Sequence, residues 1–175
     1  MKCNKCARLV KSRKNIVTYT GADQPIIIFI DNVPGYRDDK EGKPFVGPPG
    51  KFFRKAIAKA GITCELGFCY TVMCRPPSYT VPTNDEKRNC RPYLIQILDE
   101  RMPSIIVTVG TAATSDIFGK TGIMRVSGNA EIRDRCIYFP LIHPAAALRN
   151  RDIMNRFLID VEKLKKLVDS IDTLL

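Results

Sequence analysis

Five consecutive apolar residues, Ile26-Ile27-Ile28-Phe29-Ile30, end abruptly in Asp31, Asn32, Pro34 and Gly35. A run this short and this uniformly apolar is the pattern of a strand buried on both faces of a parallel sheet, with a loop at its carboxyl end. Three further segments read the same way. Gly67 to Met73 is stopped by Arg75-Pro76-Pro77, Ser104 to Val109 leads into Gly110, and Cys136 to Phe139 closes on Pro140. Helical patterns lie between and after them. Gly50 to Ala60 reads as a helix closed by Gly61, and Thr111 to Phe118 as a short one ending at Gly119. Thr83 and Glu86 make a capping-box pair that starts a helix running through Leu94, Ile97 and Leu98. Ile153, Phe157, Val161, Leu164, Val168 and Ile171 recur at steps of three and four, an amphipathic helix that covers one face of a sheet. Alternating strands and helices predict an open α/β sandwich, and 175 residues fit one domain, 1–175.

In such folds the site lies in the crevice at the carboxyl ends of the strands. The unusual loops stand at those ends: Asp31 to Gly50, Cys74 to Thr83, and Leu141 to Asn150, each rich in Pro, Gly and polar groups. The charge balance suggests what the loops meet. Lys and Arg total 28 against 18 Asp and Glu, a net charge of +10 and a pI near 9.4, which favours a polyanion such as DNA or RNA as partner. The longest apolar run is too short to span a bilayer, and the basic N-terminus has no signal-peptide core. A cytoplasmic location is therefore expected, with no membrane association, and nothing in the sequence requires more than a monomer.

Seven cysteines in a chain without a secretion signal are read as metal ligands or buried thiols and not as a disulfide framework. Cys3 and Cys6 form a C-x-x-C pair, and 15 residues separate Cys74 from Cys90. One local pair with two distant single cysteines is a reasonable four-ligand set, suited to zinc or to an iron–sulfur cluster; the spacing does not choose. Cys64, Cys69 and Cys136 sit beside apolar or strand-like residues and read as plain thiols.

Several motifs occur in one order: Cys3-x-x-Cys6, Lys43-Pro44-Phe45-Val46-Gly47, Cys74-Arg75-Pro76-Pro77, Cys90-Arg91-Pro92, and His143-Pro144-Ala145-Ala146-Ala147-Leu148-Arg149. Together they resemble the family-4 uracil-DNA glycosylases, the iron–sulfur branch of that superfamily, from Cys3 to about Asn150. The resemblance implies a three-layer αβα sandwich around a central, mainly parallel sheet of four strands. It also implies a [4Fe–4S] cluster on Cys3, Cys6, Cys74 and Cys90, DNA as partner, and hydrolysis of the bond between a base and deoxyribose.

A glycosylase flips its nucleotide out of the duplex, holds the base, and stabilises charge as the bond breaks. The lone histidine, His143, occupies the family's His-Pro motif and is expected against the departing base. Phe45 matches the aromatic that stacks on the flipped base, and Leu148 and Arg149 resemble the wedge that enters the duplex and holds phosphates; Ala147 stands where the usual leucine would be. Arg75, beside the third cysteine, is assigned to the DNA contact as well.

Two departures stand out. The family pattern Gly-Glu-Ala/Gly-Pro-Gly is here Asp31-Asn32-Val33-Pro34-Gly35, so the family's glutamate has become Asn32, whose amide can position a water but cannot act as a base. Val33, Pro34 and Gly35 are expected at the substrate. Further on, Asp38 is the first candidate for orienting the water or countering the sugar's positive charge; the alternative is that Asp38, Asp39 and Glu41 form a solvated turn. Four residues before the third cysteine, where the family carries the asparagine that reads uracil, stands Tyr70. A phenol offers one hydroxyl and a bulky ring in place of an amide's donor and acceptor, and a site stripped of its polar reader loses that discrimination. The expectation is a DNA glycosylase retuned toward a larger modified pyrimidine, such as a glucosylated cytosine of viral DNA. A conventional uracil-DNA glycosylase and an inactive DNA-binding accessory protein are the alternatives.

Overall fold

In the computed structural model, which describes residues 2–78, 80–134 and 136–171, the first apolar run forms an inner strand of a sheet. In the first half of the chain come α1 (Ala7–Ser12), β1 (Thr20–Gly21), β2 (Ile27–Asp31), α2 (Tyr36–Glu41), α3 (Pro48–Lys59) and β3 (Leu66–Tyr70). There follow α4 (Asn84–Arg101), β4 (Ile105–Val109), α5 (Gly110–Ala113) with a π-helical turn (Thr114–Phe118), and α6 (Ile123–Val126). β5 (Glu131–Arg133), β6 (Cys136–Leu141), α7 (Pro144–Ala147) and α8 (Arg151–Asp169) complete the described elements.

The sheet has six strands in the order β1-β3-β2-β4-β6-β5. Its inner strands β3, β2, β4 and β6 are parallel and are the four expected from the apolar runs. β1 and β5 add antiparallel edges that the sequence reading lacked. They are two and three residues long, and their one apolar side chain, Ile132, is exposed, so they carry almost no apolar signal. Period-two alternation along β2 sorts its side chains between two cores. Ile27 and Phe29 pack with Phe53 and Ile57 of α3 and with Phe157, Val161 and Leu164 of α8. Ile28 and Ile30 pack with Leu94, Ile97 and Leu98 of α4 and with Ile117. The result is three layers, αβα. Ile27, Ile28, Phe29 and Ile30 are fully buried, each stabilising the fold by about 1.5–3 kcal/mol.

β2 continues one residue beyond the apolar run, because Asp31 stays in parallel register with Tyr70 of β3. The two polar residues thereby become neighbours at the carboxyl edge, on the Phe29 side of the sheet. The capping box that begins α4 is present: Thr83 Oγ1 accepts from the Glu86 N–H at 3.2 Å, and Glu86 accepts from the Thr83 N–H at 2.8 Å. Glu86 also accepts from Arg8 Nε at 2.9 Å, which ties α1 to α4. α1 was not legible in the sequence because Leu9 is its one fully buried side chain. No described helix is long and apolar enough to cross a membrane.

Candidate active site

A cavity of about 450 Å³ opens at the carboxyl ends of β2, β3 and β6, within the size range of small-molecule sites. The loop after β2 contributes Val33, Pro34 and Gly35, the segment before α3 contributes Phe45 and Gly47, and β3 contributes Tyr70. Asp31, Asp38, His143 and Pro144 complete the part of the lining that carries chemistry. Most residues expected at the substrate are thus brought together.

Asp38 and Asp39 are not a solvated turn; their exposures are 7% and 5%. Asp38 Oδ2 accepts from the Gly35 N–H at 2.8 Å, and Oδ1 accepts from the N–H groups of Val46 at 2.8 Å and Gly47 at 3.1 Å. Its carboxylate therefore fastens α2 to the Phe45 segment. Asp39 does the same toward the N-terminal region, accepting from the N–H groups of Lys14 and Asn15. Glu41 is exposed.

Phe45 has φ of 57°, a left-handed conformation that costs a non-glycine residue on the order of 1–3 kcal/mol. The surroundings hold it there. Its N–H donates to the Tyr70 hydroxyl at 3.2 Å, and its carbonyl accepts from Arg54 Nε at 3.2 Å. A side chain at Gly50 would stand 2.5 Å from the Phe45 backbone, so the close approach of α3 requires glycine there. The Phe45 ring packs on Phe53, Phe68 and Tyr70, the last stacked at 5.7 Å with an interplanar angle of 17°. Tyr70 is 2% exposed. Burial first, and then the carboxylates of Asp38 and Asp31, push its phenol far above the ordinary tyrosine value, so it stays protonated.

His143 caps α7: its Nδ1 accepts from the Ala145 N–H at 3.0 Å. Nδ1 thus keeps its lone pair, and the ring proton resides on Nε2, 2.9 Å from Asp31 Oδ2. Burial alone would lower the histidine pKa, but the hydrogen bond and charge of Asp31 outweigh it and raise it. Asp31 Oδ1 accepts from the Asn32 N–H at 2.7 Å. Gly110, with φ of 84°, lies where a side chain would meet His143 Cβ at 3.0 Å, so glycine leaves the imidazole its place. Nothing in the sequence marks Asp31, because an aspartate ending an apolar run reads as the first loop residue.

The remaining expected residues lie around this cavity and not in it. Asn32 Oδ1 accepts from the Thr71 hydroxyl at 3.2 Å, and Asn32 faces a separate space of about 290 Å³ shared with Gly110 and Thr111. Arg75 lies with its guanidinium 5.6 Å from the ring centre of Tyr36, at the cavity mouth. Leu148 is 49% exposed directly after α7, followed by exposed Arg149. The cysteines gather at another corner. Cys6, Cys74 and Cys90 belong to one cluster with Leu9 and Val72, and Cys3 and Cys6 act electrostatically on both Cys74 and Cys90. N–H donors reach the sulfurs: Arg13 Nη1 to Cys74 at 2.9 Å, Met73 N to Cys90 at 3.3 Å, and Asn89 Nδ2 to Cys6 at 3.5 Å. As a free thiol, Cys90 is pushed up to about 11, by burial first and by the neighbouring sulfurs after it. Among the described residues, no three Cys, His, Asp or Glu side chains converge closely enough to hold a single metal ion.

Residues 18–165 match the family model of the uracil DNA glycosylase superfamily. The chain belongs to that superfamily. It is 38% identical over 176 residues to a type-4 uracil-DNA glycosylase of Sulfurisphaera tokodaii, covering 94% of this chain and 80% of that one. A type-4 uracil-DNA glycosylase of Saccharolobus solfataricus is 37% identical over 181 residues, covering 97% and 83%. One from Archaeoglobus fulgidus is 32% identical over 177 residues, covering 95% and 88%. By type this superfamily member is a DNA glycosylase, a hydrolase with DNA as its partner, and the cavity at the strand ends is its candidate active site.

Proposed function

We propose that this glycosylase hydrolyses the N-glycosidic bond of a modified pyrimidine flipped out of DNA, leaving an abasic site, and that uracil is not its preferred base. The observation that carries this reading is the Tyr70–Phe45 pair. A reader of uracil's polar edge must present a donor and an acceptor together, as an amide does. Tyr70 has one hydroxyl, and it already accepts the Phe45 N–H. Its ring also covers a face of Phe45 on which a base would lie. The base is left with the 450 Å³ space bounded by Val33, Pro34, Gly35 and His143, which has room for a substituent on a pyrimidine ring. A glucosylated cytosine of viral DNA is a base of that kind, and its removal would serve antiviral defence.

In this reading His143 stands against the departing base. Nε2–H is the one N–H its neutral ring has, and it serves either Asp31 or an oxygen of the base. Exposed Leu148 enters the duplex, while Arg149 and Arg75 hold phosphates. The four cysteines hold a [4Fe–4S] cluster. The chemistry of the donor set fits: thiolates suit iron–sulfur clusters, Cys6, Cys74 and Cys90 pack in one cluster, and N–H donors reach these three sulfurs. When bound, the cluster supplies a staple between the N-terminal segment, the end of β3 and α4.

The test is an excision assay on duplexes carrying uracil, hypoxanthine, or methylated or glucosylated cytosine, with alkali-labile sites counted. Release of a substituted cytosine in preference to uracil is expected. Efficient release of uracil in preference to the substituted bases would overturn the proposed specificity, and DNA binding without release of any base would overturn the enzymatic reading.

A further inference from the structure

We propose that Asp31 is a catalytic carboxylate of this site, facing the deoxyribose as positive charge builds on it; the inference rests on the glycosylase reading above and supplies its missing acid residue. Only two carboxylates line the 450 Å³ cavity among the described residues, Asp31 and Asp38. Asp38 is committed to three backbone N–H groups, which use both of its oxygens. Its work is to hold the loop. Asp31 accepts from one backbone N–H through Oδ1 and shares the His143 proton through Oδ2, which leaves lone pairs on both oxygens.

Position favours Asp31 as well. It ends an inner strand in register with Tyr70 of β3, so its backbone is fixed by the sheet and not by a loop. It lines the main cavity and also the 290 Å³ space on the other side of His143, so water has a second approach to it. Asn32, one residue on, lines only the second space and is bonded to Thr71. A fixed negative charge in a partly dry cleft stabilises a developing cation more than the same charge in water does.

The step balances without a further reactant. The N-glycosidic bond breaks, and its electron pair leaves with the base nitrogen. The sugar carbon becomes oxocarbenium-like, and a water oxygen bonds to it. The water's proton passes to Asp31 and from there to solvent, while the base anion takes a proton from solvent.

The test needs no knowledge of the target base. Binding is measured, by fluorescence anisotropy, to a duplex carrying a cationic pyrrolidine in place of the abasic sugar and to the same duplex carrying neutral tetrahydrofuran. The wild-type chain is expected to prefer the cation by on the order of 100-fold, as enzymes prefer analogues of the transition state. Asp31→Asn and Asp31→Ala are each expected to reduce that preference to a few-fold while retaining affinity for the neutral duplex. Three results would overturn the proposal: no cationic preference in the wild type, an undiminished preference in both variants, or equal loss of both affinities, which would assign Asp31 to the fold alone. Failure of the excision panel to yield any substrate would count against the glycosylase reading and would leave this comparison readable.

Discussion

Removing the Asp38 carboxylate separates its structural work from catalysis. In Asp38→Ala the N–H groups of Gly35, Val46 and Gly47 lose their acceptor. A hydrogen bond to a charged group contributes about 1.5–3 kcal/mol, but a donor that water can reach recovers much of that. The Gly35 and Val46 bonds are partly buried and recover much of the loss; the Gly47 bond is buried and recovers least. Two net losses of about 0.5–1 kcal/mol and one of about 1–3 kcal/mol put the total at roughly 2–5 kcal/mol. For a chain of this size that lowers Tm by roughly 4–20 °C, measurable by calorimetry. Asp38→Asn should fall in between, because its amide oxygen still serves Val46 and Gly47 while its NH2 is turned toward the Gly35 N–H. Melting of the alanine variant within roughly 2 °C of wild type would refute the staple, and with it the ground for setting Asp38 apart from Asp31.

Glu86 should carry part of the acid sensitivity. The hydrogen bond from Arg8, and after it the Thr83 contacts, hold its pKa below the usual value, near 4.3 for glutamate. A depressed folded pKa gives stability that is present above the unfolded value and is lost as pH falls through the folded one. Glu86→Gln should therefore melt below wild type at neutral pH, and the gap should close on acidification below about pH 4; a gap independent of pH would show that the charge does not matter. Cys90→Ser should lose the brown absorbance near about 400 nm and most of about four irons per chain, read by optical spectrum and iron assay. Retention of all the iron would remove Cys90 from the ligand set. Tyr70→Asn should gain excision activity on uracil, whereas Tyr70→Phe should not; no gain in the asparagine variant would mean that position 70 does not meet the base.

The parts legible in the sequence were those written in local pattern. Apolar runs such as Ile26 to Ile30 and Ser104 to Val109 mark inner strands because such strands are buried on both faces. The Thr83–Glu86 box and the spacing from Ile153 to Ile171 mark helices for reasons equally local. β1 and β5 were missed because short edge strands need no apolar residues. Site residues divide along the same line. His143 and Tyr70 were expected near the site because motifs place them at strand ends, and both line the cavity. Asp31 is not legible because its side-chain partner, His143, lies 112 residues away, and nothing local distinguishes it from a loop aspartate. Asp38 shows the converse: the family resemblance, which places acidic residues there, suggested chemistry, while in the folded chain its oxygens bind three N–H groups contributed by two separate stretches of the loop. Phe45 matches the platform aromatic by motif, yet it is 4% exposed, because Phe53, Phe68 and Tyr70 lie against its ring.

The Tyr70–Phe45 stack is where the account departs furthest from a conventional uracil enzyme, so substrate preference tests it most directly. The measurement is the ratio of single-turnover excision rates for a glucosylated cytosine and for uracil in the same duplex context, with enzyme in excess. A ratio well above one is expected for the wild type, shifting toward uracil in Tyr70→Asn. A wild-type ratio below one, unchanged by that substitution, would contradict it.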